Sequence, residues 1–203
     1  MHNRVISRKC LNAIIFFLLL VVFVSMPIFA ESKATKNKKA IALYEKKGVE
    51  LVKKSRAHVE RINGTYIDFT GDGVKEALFV YPSNNGSGLD FEIYSYKNGK
   101  IRNILTDGGY GIEWFGIYKK SKSIIMYQAG HGGETYRYYK MNGGKYKYLA
   151  CKYRSSRNGG SARNGSWMYA TGQSLTYRSI TKAEFNKAIK GVKKGKKKTI
   201  KMY

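Results

Sequence analysis

The chain has 203 residues and a formal net charge of +25, from 38 Lys and Arg against 13 Asp and Glu. That length suits one domain with a real core and is short for two. A field of this sign favours polyanionic surroundings, such as anionic wall polymers, acidic lipid headgroups or nucleic acid, but charge alone does not choose among them.

Residues 1–30 carry Arg4, Arg8 and Lys9 and no acid, then a run from Leu11 to Val24 that is apolar except for Asn12, then Ser25, Pro27 and Ala30. A basic start, a short greasy middle and a small-residue exit are the parts of a secretory signal peptide. The apolar run is shorter than the roughly 20 residues of a spanning helix. Cleavage after Ala30 is expected; an uncleaved amino-terminal anchor is the alternative, because Ile28 stands at the minus-three position where Ala is more usual. Cys10 precedes the greasy run, which argues against lipid modification. Cleavage lowers the formal charge from +25 to +22 and leaves Cys151 as the only cysteine, so no intramolecular disulfide can form. Flanked by Tyr148, Leu149, Ala150 and Tyr153, that thiol reads as buried strand packing.

Residues 31–40, ESKATKNKKA, read as a basic, disordered linker ahead of a single globular domain over 41–192. Ile41, Tyr44, Gly48, Leu51 and Val52 recur at three- and four-residue steps among charged residues, predicting an amphipathic helix to about Val59. Gly48 in its middle suits close packing on a sheet. After the Asn63-Gly64 turn the chain becomes strand-like. Tyr66-Ile67 leads into an acidic loop, and residues 77–81 lead out to Pro82. Residues 83–88, SNNGSG, form a loop of turn-formers. Residues 91–96 and 101–105 flank Asn98-Gly99, the strongest short hairpin signal because both residues accept positive φ. The same order recurs at 136–141, Asn142-Gly143-Gly144-Lys145 and 146–153. Between the copies, residues 112–118 and 124–128 make a further hairpin over KKSKS.

Residues 154–166 read as an exposed basic loop, and 167–169 with 174–177 as a short strand pair. Thr181 and Glu184 are spaced as a capping box for a helix from Lys182 to about Gly191, with Phe185, Ala188, Ile189 and Val192 on one side. Residues 193–203 form a basic tail, too dense in Lys to pack. The expected fold is therefore α+β to mainly β. One antiparallel meander, with a propeller-like arrangement as its finer form, is flanked by an N-terminal and a C-terminal helix. Two copies of the hairpin motif do not support a complete propeller or a long solenoid.

In the acidic loop Asp68, Thr70, Asp72 and Glu76 take positions 1, 3, 5 and 9, with Gly73 at position 6. Calcium takes oxygen ligands in number, and this loop offers three carboxylates, the Thr70 hydroxyl and the Val74 carbonyl. Position 12, where an EF-hand needs a bidentate acid, is Phe79, so the spacing predicts a strand-loop-strand site. YIDFTGDGVKEALFVY resembles the Asp-x-Asp-x-Asp-Gly-x-x-Asp/Glu loops of integrin α-chain and FG-GAP/VCBS-type repeats. Together with YSYKNGK (94–100) and ITKAEF (180–185), it is similar to a broad group of secreted, mostly uncharacterised proteins of gut-type Gram-positive bacteria. Those carry an amino-terminal helix, one such loop opening a strand, Tyr-x-Tyr-x-x-Asn-Gly-Lys hairpins and a closing helix beginning Ile-Thr. The resemblance implies a structural calcium-type site. Thr70 in place of Asp at position 3, and Lys75 beside the site, weaken it toward roughly 0.1 to 1 mM. An acidic hairpin turn that binds no ion is the alternative.

Gly130-His131-Gly132-Gly133-Glu134 offers a second candidate, with His131 and Glu134 as an acid-base pair and Arg137 to hold an anion. A glycine-rich turn bearing a solvated histidine is the commoner meaning. Zinc is not expected, because neither His58 nor His131 lies at short ligand spacing from the other or from Cys151. The 17 tyrosines and the basic loops suit carbohydrate, wall-polymer or single-stranded nucleic-acid binding, although tyrosine is also an ordinary sheet residue. Secretion argues against a genomic nucleic-acid role. The expected function is a secreted, non-catalytic binding or structural module. It carries a weak calcium-type loop and has affinity for an anionic cell-wall or envelope polymer, with membrane contact only through an uncleaved leader. The alternative is a small secreted hydrolase or nuclease using His131 and Glu134.

Overall fold

The structure is a computed structural model that describes residues 31–54, 62–84, 88–130, 132–155, 166–171 and 178–202. The leader, His58, His131, residues 174–177 and most of the 154–166 loop lie outside the described residues. The chain divides into two compact units, Met1–Ser32 and Lys33–Tyr203, and every element below belongs to the second.

Helix α1 runs over Lys33–Lys54 and so begins well before the predicted Ile41. The linker reading of 31–40 is corrected, for a tertiary reason. Ala40 is fully buried, and Asn37 docks on the acidic loop, its Nδ2 donating to Gly73 O at 3.2 Å and its Oδ1 accepting from Lys75 N at 2.7 Å. Lys and Ala are good helix formers, so a basic stretch with one small apolar contact still extends the helix. A Cβ built on Gly48 would stand 3.3 Å from the Phe79 ring, so glycine there lets the helix lie close on the sheet.

Strands β1 (Asn63–Ile67), β2 (Glu76–Pro82), β3 (Leu89–Lys97) and β4 (Lys100–Gly109) form one antiparallel sheet in that order. The rest follow as β5 (Ile112–Tyr118), β6 (Ser123–Gly130), β7 (Gly133–Asn142), β8 (Lys145–Ser155), β9 (Met168–Thr171), β10 (Arg178–Ser179) and β11 (Lys198–Lys201). These make a second sheet, ordered β10-β9-β8-β7-β6-β5-β11, with helix α2 (Lys182–Ala188) between β10 and β11 in the chain. The fold is mainly β, with two helices and two open antiparallel sheets among the described residues.

The single meander expected from the hairpins is thus split between β4 and β5. Gly111 makes the crossing, with φ +57° and its carbonyl accepting from Ala129 N at 3.0 Å. A Cβ there would fall 2.0 Å from Ala129 O. The first hairpin turns on Asn98 and Gly99, at φ +51° and +77°, as predicted. The second turns on Gly143 and Gly144 instead of Asn142-Gly143, since Asn142 still pairs with Lys145.

Alternation, reset by irregularities at Ile93/Tyr94, Ile112/Trp114 and Tyr138/Tyr139, sorts the side chains into layers. Leu78, Phe91 and Ile93 of the first sheet meet Phe115, Ile117, Ile124, Met126 and Tyr139 of the second in one core. On the other face of the first sheet, Ala77, Phe79, Tyr94 and Tyr96 pack with Ala40, Tyr44 and Leu51 of α1. On the outer face of the second sheet, Ile125, Tyr138 and Ala150 pack with Phe185 and Val192 from α2 and the turn after it. The capping box is present, Glu184 N donating to Thr181 Oγ1 at 3.2 Å and Thr181 N to Glu184 Oε2 at 2.7 Å. Cys151 is buried and unbridged, as its surroundings predict. The basic tail is corrected in part. Lys198–Lys201 adds to β5 as an edge strand, where a lysine at each end of the short strand suits an edge that must not recruit another chain.

Candidate functional site

The acidic loop closes the β1–β2 hairpin, with Ile67 opposite Glu76. Glu76 is only 2% exposed and turns its carboxylate into the loop. Its Oε2 accepts from the Phe69 amide at 2.6 Å and the Thr70 amide at 3.2 Å, and its Oε1 accepts from Thr70 Oγ1 at 3.1 Å. Burial pushes its carboxyl up to about 7, those hydrogen bonds opposing and the nearby Asp72 adding. Asp68 Oδ1 accepts from Gly71 N at 2.6 Å, and Asp72 Oδ1 from Val74 N at 2.8 Å. From outside the loop, the Tyr44 hydroxyl donates to Lys75 O at 2.9 Å and the Tyr146 hydroxyl to Phe69 O at 3.3 Å.

These are hard oxygen donors of the kind calcium takes, but as placed they accept from protein N–H and O–H groups and do not converge on one point. Among the described residues no group of three or more His, Cys, Asp or Glu side chains is gathered to hold a metal ion. Asp68 Oδ2 instead meets the Lys119 ammonium at 2.9 Å, reaching from the short 3-10 turn Lys119–Ser121 between β5 and β6. In this arrangement the Asp68, Asp72 and Glu76 carboxylates each serve the loop's own amides, and Asp68 also carries the Lys119 ammonium.

A second constellation lies on the outer face of the larger sheet. Across successive strands Lys201 faces Trp114, Trp114 faces Tyr127, Tyr127 faces Tyr136, Tyr136 faces Lys152 and Lys152 faces Tyr169. Directly opposed residues of an antiparallel pair share a face, so the register lays one row across β11, β5, β6, β7, β8 and β9. The rings touch in series: Trp114 and Tyr127 stack at 5.2 Å, Tyr127 and Tyr136 lie 4.8 Å apart, and Trp167, just before β9, is 5.7 Å from Tyr136. Cations sit on these rings. Lys197 lies 4.0 Å over Trp114, Lys152 lies 4.5 Å over Tyr136 and 4.2 Å over Trp167, and Arg154 lies 4.7 Å over Trp167.

Glu134, opposite Arg154, holds that guanidinium at 3.0 Å. All four rings are half-buried, and Trp114 and Tyr136 pack against the cluster to which α2 contributes Phe185. Burial raises the Tyr127 and Tyr136 phenols, with Glu134 and then Glu113 adding. Burial also lowers the Lys152 ammonium, with Lys193 and Arg154 acting in the same direction and Glu134 opposing.

The second sequence candidate is described only in part. His131 lies outside the described residues, and Glu134 and Arg137 point to opposite faces of β7. Arg137 Nη1 donates to Asp107 Oδ1 at 2.8 Å between the sheets, where the Tyr139 hydroxyl donates to Asp107 Oδ2 at 2.6 Å. Arg137, expected to hold an anion beside the His131 and Glu134 pair, thus lies on the face of β7 away from Glu134 and is engaged by Asp107. Asn37 and Lys119, which hold the acidic loop, have no local sequence signal. The ring row was findable in part, because a hairpin that pairs Gly130 with Gly133 sets Tyr127 opposite Tyr136 by counting alone. No family model matches the chain, and no curated protein or solved structure shows significant similarity to it.

Proposed function

We propose that the chain is a secreted, non-catalytic binding module that holds an anionic cell-wall or envelope polymer on the outer face of the larger sheet. The observation that supports this is the set of cations carried on aromatic rings, Lys152, Arg154 and Lys197 over Tyr136, Trp167 and Trp114. A cation so placed is spared much of the entropy of an unrestrained lysine and still offers N–H donors to an anion. The formal charge of +25 steers polyanions to the molecule.

Secretion follows from the leader-like composition of residues 1–30; among the described residues no helix is long and apolar enough to cross a membrane. Calcium enters only as a weak ligand of the Asp68 to Glu76 loop that must displace Lys119. Neither propeller-like closure nor a helix at each end is required, and nor is catalysis by His131 and Glu134. Retention of the chain on purified bacterial walls, against a neutral dextran matrix, tests this reading. Retention on walls at low salt, release as salt rises and weakening in the Lys152→Gln, Lys197→Gln double variant are expected. Equal retention on dextran, or none on walls, would overturn it.

A further inference from the structure

Building on that reading, we infer that the lysine-rich turn between α2 and β11 is the ligand's main charge contact, and that it fits a linear polymer of closely spaced phosphates. The turn is fixed to the outer face of the larger sheet at one residue. Val192 is fully buried in the cluster that α2 joins, and its carbonyl accepts from Ser121 Oγ in the 3-10 turn between β5 and β6. Gly191 and Gly195, at φ +80° and +90°, turn the chain on either side of this anchor. Lys193 and Lys194 therefore stand exposed beside it. Other lysines converge on the same place. Lys140 faces Lys147 directly across the β7–β8 pair. The ammoniums of Lys140 and Lys194 each lie 3.9 Å from the position a Cβ on Gly191 would take, so they are no more than twice that distance apart. Lys120 packs on Gly195, its Cβ 2.8 Å from the corresponding position there, and the Lys122 carbonyl accepts from the amide of Met141, next to Lys140, at 2.9 Å. Among the described residues none of these six lysines is ion-paired.

Like charges directly opposed on a strand pair oppose folding, and a bound polyanion relieves that repulsion. Charge spacing then chooses among polyanions. Opposed Cβ atoms of a strand pair are about 5 Å apart, and Lys194 meets Lys140 at Gly191. A chain with a charge on every short repeat neutralises several of these cations at once, whereas a carboxylate on every second sugar leaves most of them facing one another. The cations are all lysines, point charges with three rotatable donors that meet a phosphate oxygen from any direction. Residues 193–196, the exposed part of the turn, are Lys, Lys, Gly and Lys. They offer no stacking platform of the kind a single nucleic-acid strand uses, and no apolar side chain to enter a lipid layer. Lys197, next in the chain, lies over Trp114, so a polymer held on the turn continues onto the ring-borne cations.

The test measures affinity of the full chain for inorganic polyphosphate, single-stranded DNA, hyaluronate and phosphatidylglycerol vesicles across a salt series. Polyphosphate is expected to bind most tightly. The double variant Lys140→Gln, Lys194→Gln should weaken it about tenfold and lower the slope of log affinity against log salt by roughly one per lysine. Its Tm should stay at or above the parent's, so that misfolding cannot pass for support. Lys46→Gln with Lys53→Gln removes the same charge from exposed positions of α1 and should change polyphosphate affinity by no more than about twofold, since screening confines charge effects to their neighbourhood. Absence of polyphosphate binding, equal weakening by the two double variants, or tighter binding of DNA, hyaluronate or vesicles would overturn the inference. Retention on walls would then leave the anionic-module reading standing, and loss of that retention as well would overturn both.

Discussion

Glu76 sets the stability of the β1–β2 hairpin, and Glu76→Ala is the perturbation that isolates it. The substitution removes the acceptor of three donors: the Phe69 amide at 2.6 Å, the Thr70 amide at 3.2 Å and the Thr70 hydroxyl at 3.1 Å. Phe69 is fully buried, so its amide is left without water, at a cost of about 1–3 kcal/mol. The Thr70 donors are partly accessible and recover solvent, losing roughly 0.5 kcal/mol each. The side-chain stem adds about 0.8 kcal/mol per buried methylene, offset by relief of the buried charge. A net loss of about 2–4 kcal/mol follows, which for a domain of this size lowers Tm by roughly 5–15 °C. Urea and thermal unfolding in the presence of a chelator measure it without any contribution from an ion. A variant within about 0.5 kcal/mol of the parent, below the cost of one unsatisfied buried donor, would refute the claim that this carboxylate clips the loop.

Three further outcomes follow. Calcium at millimolar concentration should leave the melting temperature of the parent chain nearly unchanged, whereas Lys119→Ala should gain a calcium-dependent rise because Asp68 loses its ammonium partner at 2.9 Å; a large shift in the parent would show that the ion displaces Lys119 easily. Gly111→Ala should cost about 2 kcal/mol or more, from positive φ and the 2.0 Å approach to Ala129 O, and a parent-like melt would contradict the crossing described here. Hydrogen bonds from the Thr181 backbone and then its side chain hold the Glu184 carboxyl below its usual range. Because the folded value lies below the unfolded one, that contribution is present above about pH 4.5 and is lost as pH falls through the folded value. Glu184→Gln should lower Tm at neutral pH and flatten the acid limb, and an unaltered acid limb would remove this role.

Local patterns carried much of the fold. Asn98-Gly99, the alternation of Phe91 and Ile93, and the Thr181 to Glu184 spacing act over a few residues, so turn chemistry and capping were readable without tertiary information. The division into two sheets was not, because a hairpin turn reports pairing and not which sheet the next strand joins; Gly109-Tyr110-Gly111 looks like any loop. The early start of α1 was hidden for a related reason. Its first turns dock through Asn37 and Ala40, which leave no apolar period. In the acidic loop the spacing correctly placed a strand-loop-strand hairpin, but spacing cannot tell a carboxylate aimed at an ion from one aimed at its own backbone amides. Lys119 is 51 residues from Asp68, beyond any local reading. Tyrosine composition signalled an aromatic surface, and only strand register gathered Trp114, Tyr127 and Tyr136 into one row.

Both tryptophans of the chain, Trp114 and Trp167, lie on the proposed binding face, so intrinsic fluorescence reports on it directly. Titration with inorganic polyphosphate should give a saturable change in tryptophan emission that is screened by salt and lost in the Lys152→Gln, Lys197→Gln double variant. Binding of the polymer with no change in tryptophan emission would contradict the account, because it would place the ligand elsewhere on the basic surface.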